Sequence, residues 1–206
     1  MKWADTVLRV LLRNRDRETI SGDLLEEYRE EILPRRGALA ARLWYVRQIA
    51  SFVGPVAWGL AIGLVAGALQ LIDTAAEPLA DDTPGGMLVI VGTLVLLWTL
   101  ASFVATRPPG RIRDAVLAGL LVGLATSSVL HLAAIVRVNV FLEQIQHRND
   151  WVNLVARFHA SGFTSLRAYA NYEYLSGTPL LLSLGAGVGA LCGVLSGAIN
   201  KVLRTS

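Results

Sequence analysis

A chain of 206 residues that is 53% hydrophobic and only 17% charged, with a mean hydropathy of +0.50, is too apolar for a soluble globular domain. The apolar residues are also segregated. Ile49–Ile72, Gly85–Thr106, Ala115–Val136 and Pro179–Asn200 lack Lys, Arg, Asp and Glu, and each is long enough to cross a ~30 Å hydrocarbon core at ~1.5 Å per residue. The expected fold is all-α: a polytopic membrane protein with four transmembrane helices over residues 49–206, preceded by a small cytoplasmic helical domain over residues 1–48.

The first 48 residues read as three short helices. "ADTVLRVLLRN" groups Val7, Leu8, Val10, Leu11 and Leu12 on a broad apolar face. That patch is too short, and too interrupted by Arg9, to be a secretory signal. "SGDLLEEYREEIL" sets Asp23 three residues before Glu26, the spacing of a capping box, and brings Leu24, Leu25, Tyr28 and Ile32 to one side. Asp23, Glu26, Glu27 and Glu30 are left facing outward as candidates for docking a partner. After a break at "PRRG", "ALAARLWYVRQ" is expected to run on into the first span, with Trp44 and Tyr45 at the headgroup level. Ten basic against eight acidic residues here is too even a balance for a nucleic-acid surface.

The segment "ETISGDLLEEYREEILPRRGALAARLWYVRQIASF" resembles permease prefix domain 2, found at the N-terminus of certain bacterial ABC transporter permeases of the FtsX-like type. Gly22-Asp23-Leu24, Glu26-Glu27-Tyr28, Gly37, Trp44-Tyr45 and Arg47-Gln48 carry the resemblance. It covers roughly Val7 to Phe52, and the long permease core and large extracytoplasmic domain do not follow. The resemblance implies a role in association or regulation, with an ABC-type permease as the kind of partner, on what is here a small stand-alone membrane protein.

Within the spans, small residues recur every fourth position: Gly59, Gly63 and Gly67 in the first, Ala115, Gly119, Gly123 and Ser127 in the third, and Gly185, Gly189, Gly193 and Gly197 in the fourth. Residues four apart share a helix face, so each row is a groove for a neighbouring helix. The fourth-span row is the one that a second copy or a partner could use, giving a homo-oligomer. Gly54-Pro55 predicts a kink, and Thr83-Pro84 and Thr178-Pro179 each predict a helix start. Intramembrane polar residues are few. His131, with Gln70 and Asp73 at a similar depth, forms a possible polar site close to the outer interface, where a histidine reaches headgroups or water. Cys192 sits mid-span with no second cysteine to pair with.

Positive residues near the spans are retained on the cytoplasmic side. Fifteen lie in residues 1–48, the second loop and the tail, against none in the first loop and four in the third: Arg137, Arg148, Arg157 and Arg167. Both termini are therefore expected on the cytoplasmic side of a bacterial inner membrane. The third loop, residues 137–178, holds seven of the fifteen aromatics, too many for a solvated linker. Val138–Ile145 can prolong the third helix, Asp150–Phe158 can form a second with Trp151, Leu154, Val155 and Phe158 on one face, and Ser165–Leu175 a third. The result is a cap on the outer headgroups or a docking face.

His131, His147 and His159 show no zinc-type spacing, and no phosphate loop, nucleophile elbow or HExxH is present. No catalytic residue, metal or cofactor is expected. The sequence favours a non-enzymatic component that acts with a transport system; a self-assembling small channel or transporter is the alternative.

Overall fold

The computed structural model describes residues 26–51, 54–106 and 111–205, which fall into two compact units. Among the described residues every regular element is helical.

In the first unit a π-helical turn, Tyr28–Ile32, leads into α1, Leu33–Ser51. Pro34 explains the wide turn. Its ring would clash with the carbonyl four residues back, and the amide of Leu33 bonds instead to the carbonyl of Tyr28, five back, which opens the turn just ahead of it. The expected break at "PRRG" is carried by Gly37 alone, at φ 75° and ψ 167°, a conformation open only to glycine without strain. Tyr28 and Ile32 are buried, as is Ala41, and the Tyr28 ring meets Tyr45 edge-on at 5.3 Å. Tyr45, 2% exposed, is thus a core residue and not the expected headgroup anchor. The expected first helix and Asp23 lie outside the described residues. The helix does not continue into the first span: α1 ends at Ser51 and Gly54 is not helical.

Among the described residues four helices are long and apolar enough to cross a membrane. They are α2 (Pro55–Ala76), α3 (Pro84–Ala105), α4 (Ile112–Ile145) and α6 (Leu166–Thr205), with the short α5 (Val152–Ala160) between the last two. The chain is a multi-pass, all-helical membrane protein. Pro55 and Pro84 each open a helix at the position where a missing N–H costs nothing, and the Thr83 hydroxyl accepts the Gly86 amide at 3.1 Å. The first span is therefore 55–76 and not 49–72, because Gly54-Pro55 starts a helix instead of kinking one.

Contacts along the second unit fix the helix directions. Gly59, Gly63 and Gly67 of α2 face Val122, Thr126 and Ala133 of α4 in ascending order, so these two helices run parallel. Cys192 and Ser196 of α6 donate to the carbonyls of Val95 and Thr99 of α3, again in ascending order. Gly119 faces Gly189, whereas Gly123 faces Gly185, so α4 and α6 are antiparallel. This is the alternation that four successive crossings require.

The seams of α4 with α2 and α6 are closed by backbone. A methyl group added at Gly119, Gly123, Gly189 or Gly193 would collide with a carbonyl oxygen of the facing helix. At Gly59 it would stand 2.5 Å from the Val122 carbonyl oxygen, and at Gly67 2.9 Å from the Ala133 Cβ. In lipid, where apolar burial supplies no drive, such close approach is what holds helices together. The fourth-span row is thus spent on α4 of the same chain. α3 joins differently, through side chains: the Trp98 ring N–H donates to the Thr126 hydroxyl at 3.1 Å, and that hydroxyl donates to the Gly59 carbonyl at 3.0 Å. Trp58, Ile62 and Val122 pack around the same indole.

At 34 and 40 residues, α4 and α6 are about 51 and 60 Å long, well beyond a ~30 Å hydrocarbon core. Their overhangs pair with each other and with α5. The fourth membrane helix does not begin at Pro179, as the Thr178-Pro179 signal suggested; Pro179 lies inside one continuous α6. The overhang supplies the reason. Tyr169 and Ala170 are buried, so packing carries the helix through the proline, and the Thr178 hydroxyl reaches back to the Tyr174 carbonyl at 3.3 Å instead of capping a new start.

Candidate functional site

The overhang forms a cap with its own core. Val138, Leu142, Ile145, Trp151 and Ala170 are buried together, with Phe141, Leu154, Leu166 and Tyr174 packed against them. α4 bends at Phe141 (φ −112°, ψ 16°). Just before the bend, the Asn139 side chain donates to the Ile135 carbonyl at 2.8 Å, competing with the backbone for that acceptor. The same amide pairs reciprocally with Asn171 of α6 at 2.9 and 3.1 Å. This exchange satisfies donor and acceptor of both side chains where the helices leave the glycine seam.

Two buried arginines then fasten the α2–α3 loop to the cap. Arg148, its side chain 2% exposed, contacts Asp82 at 2.9 Å and Asp150 at 3.1 Å; Arg137, 7% exposed, lies 3.6 Å from the other Asp82 oxygen. Each oxygen of one carboxylate thus answers a different guanidinium. Burial disfavours the Arg148 charge, but the Asp82 and Asp150 carboxylates more than offset it and hold the group above its ordinary pKa. Beside it, Asp81 accepts the backbone and side-chain N–H groups of Asn149 at 2.8 and 2.7 Å. The Asn149 side-chain bond is the main cause that holds the Asp81 carboxyl below the usual range. The Nε of Arg137 is buried without a hydrogen-bond partner, which leaves that arginine the less satisfied of the two.

The expected polar residues are only partly brought together. His131 is hydrogen-bonded to Thr178 at 2.8 Å, with its ring 6.2 Å from that of Tyr174. Gln70 and Asp73 do not join it. The Gln70 carbonyl accepts the Thr74 hydroxyl at 2.9 Å, and Asp73 is exposed at the end of α2. The partner of His131 is contributed by α6, which runs unbroken from Leu166 through Thr178, whereas the Thr178-Pro179 signal predicts a start at Pro179. Glu26, Glu27 and Glu30 are exposed around the buried Tyr28 and Ile32, and Glu31 pairs with Arg35 at 3.0 Å.

The clasp residues Asp81, Asp82, Arg137, Arg148 and Asp150 had entered the sequence reading only as topological charges, if at all. One signal could have found them: Arg137, Phe141, Ile145 and Arg148 recur at helical spacing, placing both arginines on the face that carries the cap core. Chemically the arrangement pairs charge and does not transfer protons, since a guanidinium stays protonated. Among the described residues no group of His, Cys, Asp and Glu is arranged to hold a metal. The chain matches no protein-family model, no curated protein and no solved structure.

Proposed function

We propose that this protein is a non-enzymatic, transport-associated membrane component whose N-terminal helical unit docks on a partner, with both termini in the cytoplasm of a bacterial cell and the cap on the outer face of the inner membrane. The observation that carries this reading is the division of the first unit into two faces: Tyr28, Ile32 and Tyr45 turned inward, and Glu26, Glu27 and Glu30 all turned outward. The resemblance of the same segment to the permease prefix names the class of partner, an ABC-type permease. The excess of positive residues in residues 1–48, the second loop and the tail supports the orientation.

The alternative, a self-assembling channel, loses the surface first assigned to it. The glycine row of α6 packs against α4 of the same chain. The test is a pull-down from native membranes comparing wild type with a Glu26→Lys, Glu30→Lys double variant. Exposed charges contribute only about 0–1 kcal/mol to folding, so stability should hold while partner capture falls and becomes more sensitive to salt. An unchanged set of captured proteins would reduce the first unit to a membrane-surface anchor and remove the link to transport.

A further inference from the structure

We propose that α3 is a hinged helix whose cap-end half swings away from the bundle when the Asp82 clasp releases. Every residue from Thr83 to Thr93 is exposed, on all faces of the helix. A methyl group added at Gly85 or Gly92 would meet nothing within 4 Å. At the same end of the bundle the other spans are packed: Gly63, Gly67 and Thr74 of α2 and Thr126, Ser127 and Ala133 of α4 are buried. Three turns of α3 therefore stand in lipid, free of the bundle.

The attachments of this half lie at its two ends. On one side are the bonds from Trp98 to Thr126 (3.1 Å), from Cys192 to the Val95 carbonyl (3.6 Å) and from Ser196 to the Thr99 carbonyl (2.6 Å). They tie α3 to two helices at neighbouring levels and act as the pivot. On the other side Asp82, two residues ahead of the helix, is held by Arg148 at 2.9 Å and by Arg137 at 3.6 Å, and the adjacent Asp81 accepts the backbone and side-chain N–H groups of Asn149 at 2.8 and 2.7 Å. Thr83 couples this latch to the helix through bonds to the amides of Gly86 and Met87, at 3.1 and 2.9 Å. The lever from Val95 at the pivot to Asp82 at the latch is about 20 Å, so a swing of roughly 15° moves its end by about 5 Å and Leu88, about 10 Å from the pivot, by about 3 Å. Because this half has no protein packing to lose, the latch formed by Asp81 and Asp82 sets its position. The inference is independent of what the first unit binds.

Spin labels on Leu88→Cys and Leu180→Cys, in a Cys192→Ser background reconstituted in lipid nanodiscs, report the cap-end distance; labels on Leu97→Cys and Leu195→Cys report the pivot. The double variant Asp81→Ala, Asp82→Asn should lengthen and broaden the cap-end distribution by about 3 Å and leave the pivot pair unchanged, whereas Asp82→Glu should stay close to wild type. Should that variant fail to fold, adding Arg137→Gln removes one buried charge together with its partner and must give the same shift. A cap-end distribution that does not change in the folded variant overturns the hinge. Equal broadening of both pairs overturns it as well, since the whole bundle would then be loosening.

Discussion

The helix pair α4–α6 is held in two ways along its length. Over the membrane half, Gly119, Gly123, Gly185 and Gly189 bring backbone against backbone; over the cap, Val138, Leu142 and Trp151 interdigitate and buried charges close the edge. Register and helices are the same, and the solvent differs. In lipid, apolar side chains gain nothing by meeting one another, so close backbone packing dominates and small residues win. Where the helices emerge into water, burying Trp151 and Leu142 is itself a driving force, and large residues replace the glycines. One helix pair thus changes its mode of packing near the Asn139–Asn171 pair.

The sharpest way to break this contrast is to put bulk on the membrane side. Gly119→Leu or Gly189→Leu drives a side chain into the facing carbonyl, and backbone cannot yield as a side-chain tip can. The expected loss exceeds about 4 kcal/mol, read as absence of a cooperative thermal transition in detergent. Gly197→Ala, whose added methyl would stand 3.3 Å from the nearest atom, should cost less than about 1 kcal/mol. Equal losses for the two would mean that the seam is not closed by backbone contact.

On the cap side, Arg148→Ala strips two carboxylates of a buried partner and should cost about 3–5 kcal/mol. Protease susceptibility of α5 should rise while the α2–α4 seam stays intact in crosslinking. A loss spread evenly over both regions would erase the distinction drawn here.

The junction should matter less. Asn139→Leu leaves Asn171 short of a partner, and polar pairs between membrane helices average about 0.6 kcal/mol, so a loss of about 0.5–1.5 kcal/mol is expected in the same unfolding assay, partly recovered in the Asn139→Leu, Asn171→Leu double variant.

The smallest effect is an acid limb. Asp81 is held below its ordinary pKa by Asn149, so the stability it lends is present above the unfolded value of about 3.9 and is lost as pH falls through the lower folded value. Asp81→Asn should flatten the fall in cap stability below about pH 4, followed by Trp151 fluorescence. A limb of unchanged steepness would show that Asp81 contributes nothing to it.

How legible this was depends on the region. The glycine rows were readable because a spacing of four is a property of the helix itself, whichever neighbour fills the groove. Thr83-Pro84 was readable because capping is local. Thr178-Pro179 carries the same local signal and is overruled, since the packing of Tyr169 and Ala170 against the overhang is a tertiary fact that no dipeptide holds. Tyr45 misled for a related reason: an aromatic near a span reads as an interface anchor until Tyr28 is found beside it. The clasp was the least visible. Arg148 and Asp82 stand 66 residues apart, and a charge on a loop looks solvated until the fold supplies its partner.

That separation has a consequence for biogenesis. Chains emerge and insert N-terminal part first, so in the proposed orientation the α2–α3 hairpin crosses the bilayer before α4, leaving Asp81 and Asp82 waiting on the outer surface. Arg137 must then be carried across at the leading end of α4, and its neutralising partner already stands at the point of arrival. The cap can seal only after α6 has returned across the membrane and supplied Tyr169, Ala170 and Asn171. In that orientation the bilayer orders the assembly: the loop that receives the arginines is in place before α4 and the turn after it deliver them.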